Sequence, residues 1–219
     1  MGFIQGINEA FKEGGWGMWP ILILSIFSVG LIIERVVYLF RSSMDKRQFM
    51  GLMQKLIAQG NVAQAIKVCS GTSKPMTRIV QSGLMKVNRS NADVQAAMDE
   101  TALKEKPLIE KRTGYLAMLG NLATLLGLLG TITGLIKSFA GVAGVDPSMK
   151  ATLLAKGISE AMNCTAFGLG TGIVGLLIFA VLNGQTQHLL DDINEVSVHV
   201  MNLISAHKSA MKGGGQVAA

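Results

Sequence analysis

The amino-acid sequence predicts an all-α polytopic membrane protein with three transmembrane helices, a helical cytoplasmic domain and a short N-terminal interfacial helix. Three observations predict it. Of 219 residues, 49% are hydrophobic and only 16% are charged, a balance too apolar for an ordinary soluble domain. The stretches 18–40, 115–141 and 158–184 each reach the about 20 apolar residues that a helix needs to cross roughly 30 Å of hydrocarbon. The runs Thr113 to Ile136 and Ala161 to Gln187 carry no charge, yet both are laced with glycine and threonine, as in packed or wet helix seams rather than simple anchors.

In residues 1–15, Phe3, Ile7 and Phe11 recur every fourth position away from Glu9, Lys12 and Glu13, and Gly14-Gly15 follows. This pattern predicts an interfacial helix. Residues 16–40 form the first span, with Trp16 and Trp19 at one interface and Tyr38 and Arg41 near the other. Its apolar core is too long for a signal peptide and its entry is not basic, so a retained helix is expected. Glu34-Arg35 lies near the inner end, where pairing and snorkelling make charges tolerable.

Residues 41–112 form a helical domain rather than a linker. Phe49, Leu52, Met53, Leu56 and Ile57 share one face before Gly60, and Val62, Ala65, Ile66 and Cys69 begin a second helix. A turn at 70–75 precedes helices expected over 76–87 and 92–108, with Ser90 and Asp93 spaced as a capping box. Pro107 is expected to kink the last of these. The second span is 113–141, a turn is expected over 142–157, and the third span is 158–187. Beyond it, Leu189, Ile193, Val196, Val200 and Leu203 continue a helix over 188–211, and 212–219 is expected to be a flexible tail.

Orientation follows from the lysines and arginines. Residues 41–112 hold thirteen of the twenty basic residues against six acidic ones, whereas Lys12 is the only basic residue before the first span. That domain is therefore expected in the cytoplasm, with the N-terminus and the 142–157 turn periplasmic and the C-terminus cytoplasmic. The net charge of +6 reads as a topology signal. Without an aromatic-interleaved basic motif it does not indicate nucleic acid. Cys69 falls in a reducing compartment and Cys164 within a span, so no disulfide is expected.

Polar chemistry concentrates in the last two spans. Thr124, Thr131 and Ser138 are spaced by sevens with Gly120, Gly127 and Gly134 near the same stripe. Ser159, Glu160, Asn163 and Thr165 cluster in the outer half of the third span, ahead of Gly168, Thr171 and Gly172. Helix packing through Gly130-x-x-x-Gly134 and Gly168-x-x-x-Gly172 accounts for the glycines. It accounts less well for Glu160 and Asn163, since a carboxylate in a span costs roughly 2.5–3.5 kcal/mol unless it meets protein or water. Gly170-x-Gly172-x-x-Gly175 lacks the preceding strand of a dinucleotide site. His188, His199 and His207 are too widely spaced for a compact metal site. No nucleophile, base and orienting acid fall at a catalytic spacing, so no enzyme activity, metal or cofactor is expected.

Taken together, Ile33-Glu34-Arg35, Gly60-Asn61-Val62-Ala63-Gln64-Ala65, Leu126 to Gly134 followed by Ser138-Phe139, and Ile158 to Leu169 resemble the ExbB/TolQ/MotA family of ion-driven motor channels, in its three-span ExbB/TolQ branch. The resemblance spans nearly the whole chain. It implies a pentameric bacterial inner-membrane ring in contact with lipid, around a dimer of a single-span partner similar to ExbD or TolR. Ion flow, of protons ahead of sodium, would turn or gate the assembly. By the same resemblance Thr131 and Thr165 correspond to pore threonines and Glu160 to the acidic residue near the pore mouth. Asn163 is taken with them as part of the ion pathway, and Thr124, Gly127, Gly134, Gly168 and Gly172 as pore lining or helix packing.

The residues support a division of labour from another direction. A proton relay needs a titratable group near midplane, and the mid-span residues here are threonines, so the missing carboxylate is expected from a partner; the resemblance implies that it is an intramembrane aspartate. Two positions depart from the family pattern, Thr124 and Val174, where members often carry helix-bending proline. Two other readings remain in play, a flagellar-type stator subunit and a static oligomeric scaffold in which the glycines only pack helices. Against the stator stand three spans rather than four.

Overall fold

The computed structural model describes residues 14–214, with side chains to 209. All but the last two residues of the expected interfacial helix fall outside that range, as do residues 215–219 of the expected tail. Among the described residues the secondary structure is helix without strand: α1 Met18–Ser42, α2 Lys46–Ala58, α3 Val62–Ser70, α4 Pro75–Met85, α5 Asn91–Glu110, α6 Thr113–Gly141 and α7 Pro147–Gly214. Three helical stretches are long and apolar enough to cross a membrane, as expected of an all-α polytopic membrane protein.

The chain divides into two compact units. One holds the described residues up to Arg35 together with Arg112–Leu182; the other holds Val36–Lys111 and the described residues from Asn183 onward. The first is the membrane unit. Its buried centre is Ile21 of α1, Ala123 of α6 and Cys164 of α7, against which Leu126 and Phe167 pack. Phe27, Ile136, Leu177 and Val181 are each more than 60% exposed, the mark of surfaces that face lipid or another chain rather than water. Glu34 pairs with Arg112 at the start of α6, which satisfies a charge that the first span alone leaves open.

The second unit has a conventional core, with Phe49 and Met53 of α2, Ile79 and Leu84 of α4 and Val94 and Met98 of α5 all buried. Val196, Val200 and Ile204 of α7, spaced by fours, are fully buried as well. Side chains cap the starts of α2 and α5, the latter, at Ser90, as the sequence predicts. Asp45 accepts from the amides of Arg47 and Gln48 at 3.0 and 3.2 Å, and Ser90 and Asp93 form the reciprocal capping box of α5. Gly60, at φ +71, makes the turn between α2 and α3 that a residue with a Cβ resists. Lys46 bridges Asp192 and Glu195 of α7 at 2.8 Å each.

Three of the boundaries that differ from the sequence reading bear on the span helices. α5 continues through Pro107 to Glu110, and the chain leaves helical geometry at Lys111 and Arg112, the latter at φ 66. A proline removes one ladder bond, whereas a left-handed residue ends the ladder. The turn expected over 142–157 is shorter, because α7 begins at Pro147. Proline is pre-set for the first helical position, and the Asp146 carbonyl accepts from the Met149 amide at 2.9 Å. At its other end α7 runs on to Gly214, so residues 212–214 of the expected tail are helical.

Candidate functional site at the seam of two span helices

α6 and α7 lie against each other through residues without side-chain bulk. A methyl on Gly168 would sit 2.7 Å from both the Ala123 carbonyl oxygen and the Gly127 Cα, and one on Gly172 would lie 2.8 Å from the Gly120 carbonyl oxygen. A methyl on Gly134 would meet the Ala161 Cβ at 3.0 Å. The pairs 120 with 172, 127 with 168 and 134 with 161 descend on one helix as they rise on the other, so the two run antiparallel. Glycine at these positions lets backbone meet backbone.

That approach brings two hydroxyls together. Thr131 Oγ1 and Thr165 Oγ1 are hydrogen-bonded to each other, and both lie within reach of the carbonyl oxygen of Gly127, at 3.1 and 3.0 Å, so that with one proton apiece one hydroxyl donates to the other and the second donates to the carbonyl. Thr165 has a further acceptor in Ala161, at 3.4 Å. Both threonines are half-buried. The sequence placed them on separate helices at mid-span. Their shared acceptor across the seam requires the close approach at Gly127 and Gly168, and no spacing rule reveals it. Thr124 Oγ1 donates to the Gly120 carbonyl at 3.3 Å and Ser138 Oγ to Gly134 at 2.7 Å, so the remaining hydroxyls of the stripe are satisfied within their own helix.

The other two candidates stand apart from the threonine pair. At about 100° per residue, Asn163 points roughly 200° and Glu160 roughly 140° away from Thr165 on α7. Glu160 lies at the end of the unit near the α6–α7 turn, beside the start of α1. A methyl on Gly15, whose φ is +67, would come within 2.7 Å of its carboxyl carbon. The sequence reading missed two neighbours there. The Lys137 ammonium sits 5.6 Å from the centre of the Trp16 ring, a cation–π contact, and Lys137 lines the same small cavity as Glu160 and Thr133. The sequence marks Trp16 only as an interface residue; its contact with Lys137 joins residues 121 positions apart and leaves no local signature.

No group of three or more metal-ligating side chains occurs among the described residues. With this geometry in view, comparison with known proteins is decisive. Residues 71–195, which include α4, α5, α6 and the seam half of α7, match the model of the MotA/TolQ/ExbB proton channel family. The chain belongs to that family. Among relatives of the MotA/TolQ/ExbB channels, a putative biopolymer transport protein, ExbB-like 1, from Synechocystis is 32% identical over 190 residues, covering 84% of this chain and 73% of its own. A putative ExbB homologue from Methanothermobacter thermautotrophicus is 24% identical over 87% of this chain and 68% of its own. The biopolymer transport protein ExbB of Pseudomonas putida is 24% identical over 91% of this chain and 66% of its own. Similarity to ExbB proteins and three apolar helices agree with the three-span branch.

Proposed function

We propose that this chain is the pore-forming subunit of a motor in the bacterial inner membrane, driven by the proton-motive force. In this reading it forms a ring, a pentamer by family resemblance, around a dimer of single-span ExbD- or TolR-like partners. The N-terminus is periplasmic, the C-terminus cytoplasmic, and the ion is the proton. Ion flow is converted into mechanical work on envelope proteins. The observation that carries the reading is the Thr131–Thr165 pair on the Gly127 carbonyl, in a channel family, at the middle of two spans.

The pair supplies what a relay needs apart from the acid. Each hydroxyl holds one proton and two lone pairs, and each has an alternative acceptor within reach, Gly127 for both and Ala161 for Thr165. One hydroxyl can turn toward an incoming carboxyl while the other keeps the carbonyl, so neither step leaves a buried donor unsatisfied. A titratable group brought by the partner then exchanges its proton beside this pair. Asn163 and Glu160 serve the entrance and not the relay itself, since both point away from Thr165.

The test is replacement of Thr131 or Thr165 by valine, which keeps the shape and removes the hydroxyl. Ion-driven work should be lost while the oligomer still assembles; normal work by both variants would remove the relay. One observation favours a second reading: every glycine pair of the seam is occupied by packing, as a static scaffold requires. That reading predicts unchanged function in both valine variants.

A further inference from the structure

At the α6–α7 turn end of the membrane unit, a slot of about 200 Å³ opens between the two helices. Gly134, Gly141 and Gly157 leave it open, Leu153 adds an apolar wall, and three charged side chains reach it: Lys137, Lys156 and Glu160. Among the described residues none of the three is in an ion pair. Lys137 is held in place by the Trp16 ring. Trp16, Phe139 and Leu153 are exposed at 52%, 59% and 39%, which puts the slot among the side chains that meet lipid at a membrane interface.

We propose that this slot binds the headgroup of an aminophospholipid, with phosphate against Lys137 and Lys156 and the primary ammonium against Glu160. Lys137 and Lys156 are exposed and Glu160 is half-buried, so all three can reach a ligand at the membrane boundary, and one that carries both signs gains a charge-assisted contact with each. A purely anionic headgroup satisfies the lysines but sets its charge against Glu160. A phosphoethanolamine group satisfies all three, and its N–H donors suit a carboxylate in a way that a trimethylated ammonium does not. Basic pockets between span helices are a recurrent headgroup site, and the apolar rim favours a lipid over free phosphate. The site goes beyond the proposed motor function; it shares Glu160 with the proposed entrance, and lipid retention reads it independently of ion flow.

The test uses the full chain, purified and delipidated, and reads retention of added lipid by native mass spectrometry. Phosphatidylethanolamine should bind more tightly than phosphatidylglycerol or phosphatidylcholine of the same acyl chains. Lys137→Gln and Lys156→Gln should each weaken it about fivefold, with oligomeric state and helix content unchanged. Glu160→Gln should reverse the preference toward phosphatidylglycerol. Equal binding of the three lipids, or unaltered binding by the double lysine variant, overturns the proposal. Displacement of the lipid by millimolar inorganic phosphate alone would reduce the slot to a free-anion site, which also overturns it.

Discussion

The hydroxyls of Thr131 and Thr165, on two different helices, converge on one acceptor, the carbonyl oxygen of Gly127. The two hydroxyls, bonded to each other and sharing one carbonyl within reach, tie the helices together and leave lone pairs to offer. The arrangement depends on glycine at 127 and 168, because any side chain there separates the backbones and the hydroxyls with them.

The seam therefore predicts a contrast between neighbouring glycines. Gly168→Ala forces backbone to move, its methyl lying 2.7 Å from the Ala123 carbonyl, and should destabilise the protein by about 1–3 kcal/mol. Gly170→Ala meets nothing within 4 Å and should be neutral or stabilising by up to about 1 kcal/mol. Thermal unfolding of the detergent-solubilised protein distinguishes them.

How much of this was legible beforehand differs by element. The spans were readable because hydrocarbon thickness imposes length and excludes charge, and the helix start at Ser90 because capping is local chemistry. The long α7 was legible toward its C-terminal end through the apolar period from Leu189 to Leu203. Its start was not, since a polar, lysine-bearing segment after Pro147 reads as turn until its backbone is seen to continue the helix. The helix runs through Pro107 to Glu110 and the chain then turns at Arg112, at φ 66, a backbone choice that no side-chain pattern announces. The candidate threonines were visible as polar residues in apolar runs. Their common acceptor and the Lys137–Trp16 contact were not, because both are made by tertiary approach.

Cys69 offers a test of the second unit. Its thiol is 1% exposed, and burial pushes its pKa up to about 11. The reactive thiolate is therefore scarce as well as hidden. Iodoacetamide at pH 8 should label Cys69 at least about 100-fold more slowly in the folded protein than after denaturation, measured by mass spectrometry of the peptide that carries it.

The capping box gives a pH dependence of known sign. The Ser90 hydroxyl and amide hold the Asp93 carboxyl below its usual value of 3.8. A folded pKa lower than the unfolded one contributes stability above the unfolded value and loses it as pH falls through the folded one. Unfolding followed from pH 7 to pH 2 should show an acid-sensitive contribution below about pH 4 that Asp93→Asn removes. No difference between the two profiles would discount the box.

The most direct measurement of the central claim is proton flux into liposomes that contain this chain together with the proposed single-span partner, compared for the parent, Thr165→Ser and Thr165→Val. Serine keeps the hydroxyl and should retain most of the flux. Valine keeps the shape alone and should lose about tenfold or more. Flux through the valine variant equal to the parent, with the ring intact, would contradict the relay.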